Sequence, residues 1–330
     1  VSFDPNTLRQ GLRPLLPDGP TVLSPAEDDY LRHYGIHFVD RIDGLAHHLG
    51  RIETSTHTIA AHLWRPQAAK GSAIVVHGYY DHVGLYRHLI HFLLARDLAV
   101  LSFDLPGHGL SSGPPATIET FDHYTAAFDA CFRALEAHLP GQLHVFGQST
   151  GGAIIMEWLL ANGIDRANSP FAAIVLLAPL VRPYLWAVNR VVYEIARRTI
   201  SERPRTFTSN ADDREFIQFL RDHDPLQART LPVQWVTAMQ NWRKRFERYS
   251  GTNLTPLVIQ GHADRTVDRK YNLKVISRLF TPRVFYIPEA KHHLVNESPA
   301  VRERMFDEIA RELDAAIAPD GRSHKINELP

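Results

Sequence analysis

Cysteine is almost absent: Cys131 is the only one in 330 residues. No disulfide can form within the chain, which fits a reducing compartment and an expected cytoplasmic location. Excess charge is absent too, with 36 Lys and Arg against 36 Asp and Glu. A nucleic-acid partner calls for a basic surface, so none is expected. Long apolar runs are also missing. A membrane-crossing helix needs roughly 20 apolar residues, and the longest candidate, Phe171 to Val181, is short and contains Pro179. The 19 histidines are scattered, without a metal-ligand spacing such as HExxH, so neither metal nor organic cofactor is expected. There is no repeat, no low-complexity segment and no visible signal peptide. The chain begins at Val1, and a segment removed ahead of it is compatible with the sequence.

What is present is a 44% hydrophobic content, ample for a sizeable core. Residues 1–45 read as a Pro-punctuated N-terminal extension, with a short helix over Pro25 to Tyr34 behind an N-cap Ser24. Leu49 to Thr54 and Thr58 to Trp64 read as paired strands. A regular alternation follows. Apolar runs at Ala73–Val76, Ala99–Phe103, Leu143–Phe146 and Ala173–Ala178 are separated by helical patterns at Leu85–Arg96, Phe121–His138 and Ala153–Ala161. That rhythm predicts βαβ units and a mostly parallel sheet with helices on both faces. It breaks over 182–250, which is helical and aromatic, and resumes with Leu257–Gln260, a helix over Arg269–Phe280, a strand at Arg283–Ile287 and a helix over Pro299–Ile317. The predicted core is therefore 46–181 with 251–318, interrupted by 182–250 between two late strands and followed by a polar tail, 319–330.

Gly147-Gln148-Ser149-Thr150-Gly151 lies between a predicted strand and helix. A GxSxG sequence there makes a tight turn with the Ser hydroxyl exposed at its apex. Serine is a poor nucleophile until a base takes its proton. The loop after the last strand supplies His292, with His293 as the fallback. Asp264, after Leu257–Gln260, is placed to orient that base, with Asp268 as its competitor. The order Ser149, Asp264, His292 is the one found on α/β-hydrolase folds. An oxyanion hole needs two N–H donors, and the amides of Thr150 and Tyr79 are the candidates. Asp104-Leu-Pro-Gly-His-Gly-Leu-Ser111 reads as a sharp structural loop beside the Ser turn.

With His77-Gly78-Tyr79, Asp104 to Ser111, Gly147 to Gly152, Gly261 to Asp264 and Ala290 to Glu297, the chain resembles the α/β-hydrolase superfamily. Within it the chain is similar to the monoacylglycerol lipase and lysophospholipase branch, grouped with serine aminopeptidases. The resemblance spans about Leu49 to Ile317. It implies an α/β-hydrolase fold in which 182–250 is a helical cap that shapes the acyl pocket, and such caps sometimes make peripheral membrane contact. It implies a serine carboxylic-ester hydrolase acting on a small-molecule acyl ester, a monoacylglycerol or lysophospholipid. The branch often carries a small or apolar residue where Tyr79 stands. Its ring would narrow the pocket, while its N–H serves the oxyanion hole equally well. From Arg182 to Arg248 there are 13 Lys and Arg against 8 Asp and Glu, a charge that would attract anionic headgroups. Two other readings stand beside the esterase. A serine aminopeptidase would use the same triad and need Asp212, Asp213 or Glu215 to bind a free amino terminus. A non-catalytic binding protein on the same fold would have no need of the triad.

Overall fold

Strands such as Ala73–Val76 are apolar at every position, which burial on both faces requires. In the computed structural model, which describes residues 3–19, 21–207 and 209–317, these runs become strands. In chain order they are β1 (Leu45–Glu53), β2 (Thr58–Pro66), β3 (Gly71–Val76), β4 (Leu98–Phe103), β5 (Gln142–Gln148), β6 (Phe171–Leu177), β7 (Glu202–Pro204), β8 (Thr230–Pro232), β9 (Leu257–Gly261) and β10 (Arg283–Ile287). Eight form one sheet in the order β1-β2-β4-β3-β5-β6-β9-β10, and β7 with β8 makes a separate ribbon. β1, β2 and β4 pair antiparallel, and every pairing from β4 across to β10 is parallel. The polar tail expected from Pro319 lies outside the described residues.

The helices are α1 (Pro5–Gly11), α2 (Pro25–Tyr34), α3 (Arg87–Leu94), α4 (Asp122–Leu135), α5 (Thr150–Ala161), α6 (Trp186–Ala196), α7 (Arg214–Asp222), α8 (Val233–Phe246), α9 (Arg269–Leu279) and α10 (Pro299–Ile317). Alternate strand residues face opposite sides. Val75, Val100, Phe146 and Ile259 pack with Leu93 of α3 and Met305 of α10. Ile74, Leu101, Val145 and Val258 pack with Phe128 of α4, Ile155 of α5 and Ile276 of α9. Both faces of the sheet are thus covered, as the α/β pattern requires.

β1 starts at Leu45, four residues before the expected Leu49, and pairs with β2 along its whole length. The cause is a pair of buried histidines that read as polar in sequence. His47 stacks on Trp64 at 4.4 Å between centroids and shares a 3.1 Å hydrogen bond with His62. The N-terminal residues are built into the body of the protein. Ser24 and Glu27 form a capping box on α2, and Tyr30, Leu31 and Tyr34 of that helix are buried in the core.

Between β6 and β9 the chain makes α6, the β7–β8 ribbon, α7 and α8. α8 is anchored on the α4–α5 face. Its Trp242 stacks on Phe121 at 4.4 Å and donates its indole N–H to Glu157 at 2.9 Å. α6 instead keeps an apolar face in solvent.

Candidate active site

The site lies at the C-terminal ends of parallel strands, where open α/β sheets hold their ligands. β5 leads into α5 through Ser149, whose φ of 52° and ψ of −111° are unusual for a residue with a side chain. Bare backbone on either side permits that turn. A Cβ on Gly147 would come within 2.6 Å of Gly151 and Gly152 backbone, and one on Gly151 within 2.1 Å of the Val76 carbonyl. Only glycine lets α5 sit this close to β5 and β3. The hydroxyl of Ser149 is left at the wall of a cavity.

Asp264 follows β9 and His292 follows β10, and both reach that hydroxyl's neighbourhood. His292 Nε2 lies 2.9 Å from Ser149 Oγ, and His292 Nδ1 lies 2.8 Å from Asp264 Oδ2. An ionised carboxylate can only accept, so Nδ1 carries the proton and the Nε2 lone pair faces the hydroxyl. Asp264 also accepts from the amides of Thr266 at 2.8 Å and Val267 at 3.2 Å, and from Gln260 Nε2 at 3.0 Å. Burial pushes the Asp264 carboxyl up, but the His292 charge and these hydrogen bonds outweigh it, and its pKa falls below the ordinary value. Burial likewise pushes His292 down. The Asp264 charge and hydrogen bond prevail, and the imidazole pKa rises above its ordinary 6.5.

The alternatives go elsewhere. Asp268 caps α9 and holds Arg182 at 2.7 Å. His293 Nε2 meets Asp81 Oδ1 at 3.1 Å rather than the serine. Asp212 pairs with Lys291 at 2.5 Å and Asp213 with Arg302 at 3.4 Å. None of Asp212, Asp213 and Glu215 lines the Ser149 cavity.

Tyr79 sits in the loop after β3 and, like Thr150, lines the Ser149 cavity. Among the described residues neither amide donates a hydrogen bond within the chain, so both N–H groups are available to a ligand. Gly78 brings this loop against the serine, since a Cβ there would stand 3.4 Å from the Ser149 Cβ. The Tyr79 ring stacks on Trp235 at 3.6 Å, and its hydroxyl donates to the Ala116 carbonyl at 2.9 Å. It therefore forms a fixed wall of the pocket.

Several bracing residues escape sequence reasoning. Asp81 joins His293 to Tyr86, whose hydroxyl donates to Asp81 and accepts the Gly78 N–H, both at 2.9 Å. Asn210 accepts the amides of His292 at 3.0 Å and His293 at 2.9 Å. Buried His77, its pKa pushed down to about 3 chiefly by burial, is neutral. It accepts the Leu105 amide at 2.9 Å, tying the loop after β3 to the Asp104–Ser111 turn. These partners are far apart in the chain and leave no local pattern to find.

The Ser149 cavity holds about 340 Å³. A second, mostly apolar cavity of about 230 Å³ adjoins it under α6 and α8. Leu180, Pro183, Arg203, Leu231 and Trp235 line both. The Ser149 cavity, where Arg203, Arg205 and Asn210 stand among apolar residues, is a more mixed chamber than the apolar slot beside it, and the pair suits a substrate with one greasy and one polar end.

Residues 67–299 match the model of a family described as serine aminopeptidase, S33 (Hydrolase_4). The chain is 28% identical to human monoglyceride lipase over 74% of its own length and 83% of that protein. It is 25% identical to a monoacylglycerol lipase of Mycolicibacterium smegmatis over 71% of this chain and 86% of the relative. Its fold matches a soluble variant of the Saccharomyces cerevisiae monoglyceride lipase, solved with a substrate analogue. The TM-score is 0.69 at 14% identity, covering 81% of this chain and 95% of that one.

Proposed function

Because this chain belongs to the serine aminopeptidase S33 family of α/β-hydrolases, we propose that it is a serine carboxylic-ester hydrolase acting on single-chain lipid esters. The observation that carries this is the hydrogen-bonded line from Ser149 through His292 to Asp264, at 2.9 and 2.8 Å. His292 Nε2 takes the hydroxyl proton as Ser149 Oγ attacks the ester carbonyl. The Tyr79 and Thr150 amides hold the oxyanion. Asp264 keeps the tautomer and balances the imidazolium charge. His292 then returns the proton to the departing alcohol, and water activated by the same imidazole frees the fatty acid from Ser149. The relatives named as monoglyceride lipases support a monoacylglycerol substrate, and a lysophospholipid presents the same single acyl ester, with its acyl chain in the apolar slot. Residues 182–250 act as the cap over that slot. The test is a panel of acyl esters of graded chain length beside a proline anilide. Hydrolysis of long-chain esters with no cleavage of the anilide is expected, and the reverse would contradict the reading.

The acid limb of the pH profile follows from His292, which must be neutral at Nε2 to accept a proton. Its pKa is raised above 6.5, so kcat/KM falls as pH drops through a midpoint above 6.5. A midpoint below that value would contradict the pairing with Asp264.

The cap also offers a membrane contact. Val188, Val191, Val192 and Ile195 recur at the spacing of one helical face on α6 and are 59, 58, 48 and 67% exposed. Arg190, Arg197 and Arg198 are exposed beside them. An apolar face with flanking cations suits shallow insertion into an anionic bilayer. Changing Val191 and Ile195 together to Asp is expected to weaken co-sedimentation with phosphatidylglycerol vesicles by about tenfold or more. Equal binding by the variant and the parent would remove α6 from the contact.

A further inference from the structure

Arg203 and Arg205 both line the Ser149 cavity, yet among the described residues neither forms an ion pair. Arginines sheltered elsewhere in the protein do: Arg182 holds Asp268 at 2.7 Å, Arg243 holds Glu247 at 2.7 Å and Arg302 holds Asp213 at 3.4 Å. Arg205 is half-buried, and a sheltered guanidinium without a counter-ion is costly unless something else supplies the negative charge. Arg203, on β7, is exposed at the cavity mouth and carries no such cost. Arg205 uses only Nη1, donating to Gln227 Oε1 at 2.5 Å and the Ala228 carbonyl at 3.3 Å. Its plane rests on Tyr80 at 3.9 Å and Phe207 at 4.5 Å, which fixes its direction. Nε and Nη2, the fork that grips phosphate or carboxylate in bidentate fashion, donate to nothing among the described residues. The Arg203 side chain donates to nothing among them at all. The one acid lining the cavity, Asp81, is already engaged by His293 and Tyr86.

We propose that this cavity takes acyl esters whose alcohol portion carries an anionic phosphate group, bound by Arg205 with Arg203 beside it. The inference rests on the ester-hydrolase reading and narrows its substrate to the lysophospholipid type. With the acyl chain in the apolar slot, the ester carbonyl stands at Ser149 and the alcohol occupies the chamber that Arg205 lines. Hydrolysis then adds one water and releases a fatty acid and a phosphate-bearing alcohol. Neither arginine touches the reacting atoms. They select the headgroup.

The experiment compares kcat/KM for lauroyl lysophosphatidylglycerol and for lauroylglycerol, both below their aggregation limits. The pair shares an acyl chain and differs in the phosphate. The parent protein is expected to prefer the phosphate ester by about tenfold or more, and the preference shrinks as salt rises. Arg205→Gln and, separately, Arg203→Gln each lower that ratio, with Arg205→Lys restoring part of it. Arg203→Gln serves as the second variant because Arg205 also packs on Tyr80. A ratio near one in the parent, or a ratio unmoved by either change, overturns the proposal. If the neutral ester is still hydrolysed with that ratio near one, the headgroup assignment alone fails. If neither ester is hydrolysed, the ester-hydrolase reading fails and takes this inference with it.

Discussion

Ser149→Ala lowers kcat on acyl esters by at least about a thousandfold. The side chain makes one hydrogen bond, to His292, and the alanine methyl fits the same backbone. The loss therefore reports chemistry and not unfolding. The amides of Tyr79 and Thr150 survive the change, as do the acyl slot and the His292–Asp264 pair. A weak residual rate above that of water is expected from oxyanion stabilisation and binding alone. KM is expected to change little, because the hydroxyl contributes mainly to the transition state. Thermal unfolding of the variant at the parent's temperature completes the check. Equal hydrolysis by both proteins would show that Ser149 is not the nucleophile.

Asp264→Asn lowers kcat by about ten-thousandfold while leaving the nucleophile in place. The two carboxylate oxygens have separate tasks. Oδ1 accepts the amides of Thr266 and Val267, and Oδ2 accepts from His292 Nδ1 and Gln260. In the variant the backbone amides require an oxygen at the first position. The NH2 group must then stand where Oδ2 was, facing His292. A donor there forces Nδ1 to accept, which moves the imidazole proton to Nε2 and points it at Ser149. The base is then blocked without any shift in position. Nitrogen NMR of the imidazole would show the tautomer change alongside the rate loss. A rate within about tenfold of the parent would contradict the orienting role.

The sequence makes the local parts of this arrangement legible. Gly147 and Gly151 mark a turn in which any Cβ would collide with backbone, and such a turn can be read from five residues. Asp264 and His292 are readable because each follows an apolar strand, which assigns them to one edge of the sheet. The parallel order is likewise carried by the alternation of apolar runs with helical patterns. What stays hidden is long-range. Asp81 and His293 are 212 residues apart, and their pairing depends on how two loops meet. Asn210 looks like an ordinary polar residue until the fold sets its carbonyl against two consecutive histidine amides. The early start of β1 is hidden for another reason: His47 and His62 count as polar, yet they stack face to face at 5.3 Å in the interior. The unpaired state of Arg205 is equally invisible, since a lack of counter-ions is a property of space and not of spacing.

Peptide mapping by mass spectrometry after reaction with a fluorophosphonate tests the central claim most directly. One adduct, on the Ser149 hydroxyl, formed by the parent protein and missing when His292 is replaced by alanine, is the expected result. Failure of the folded protein to react, or an adduct on any other residue with Ser149 untouched, would contradict it.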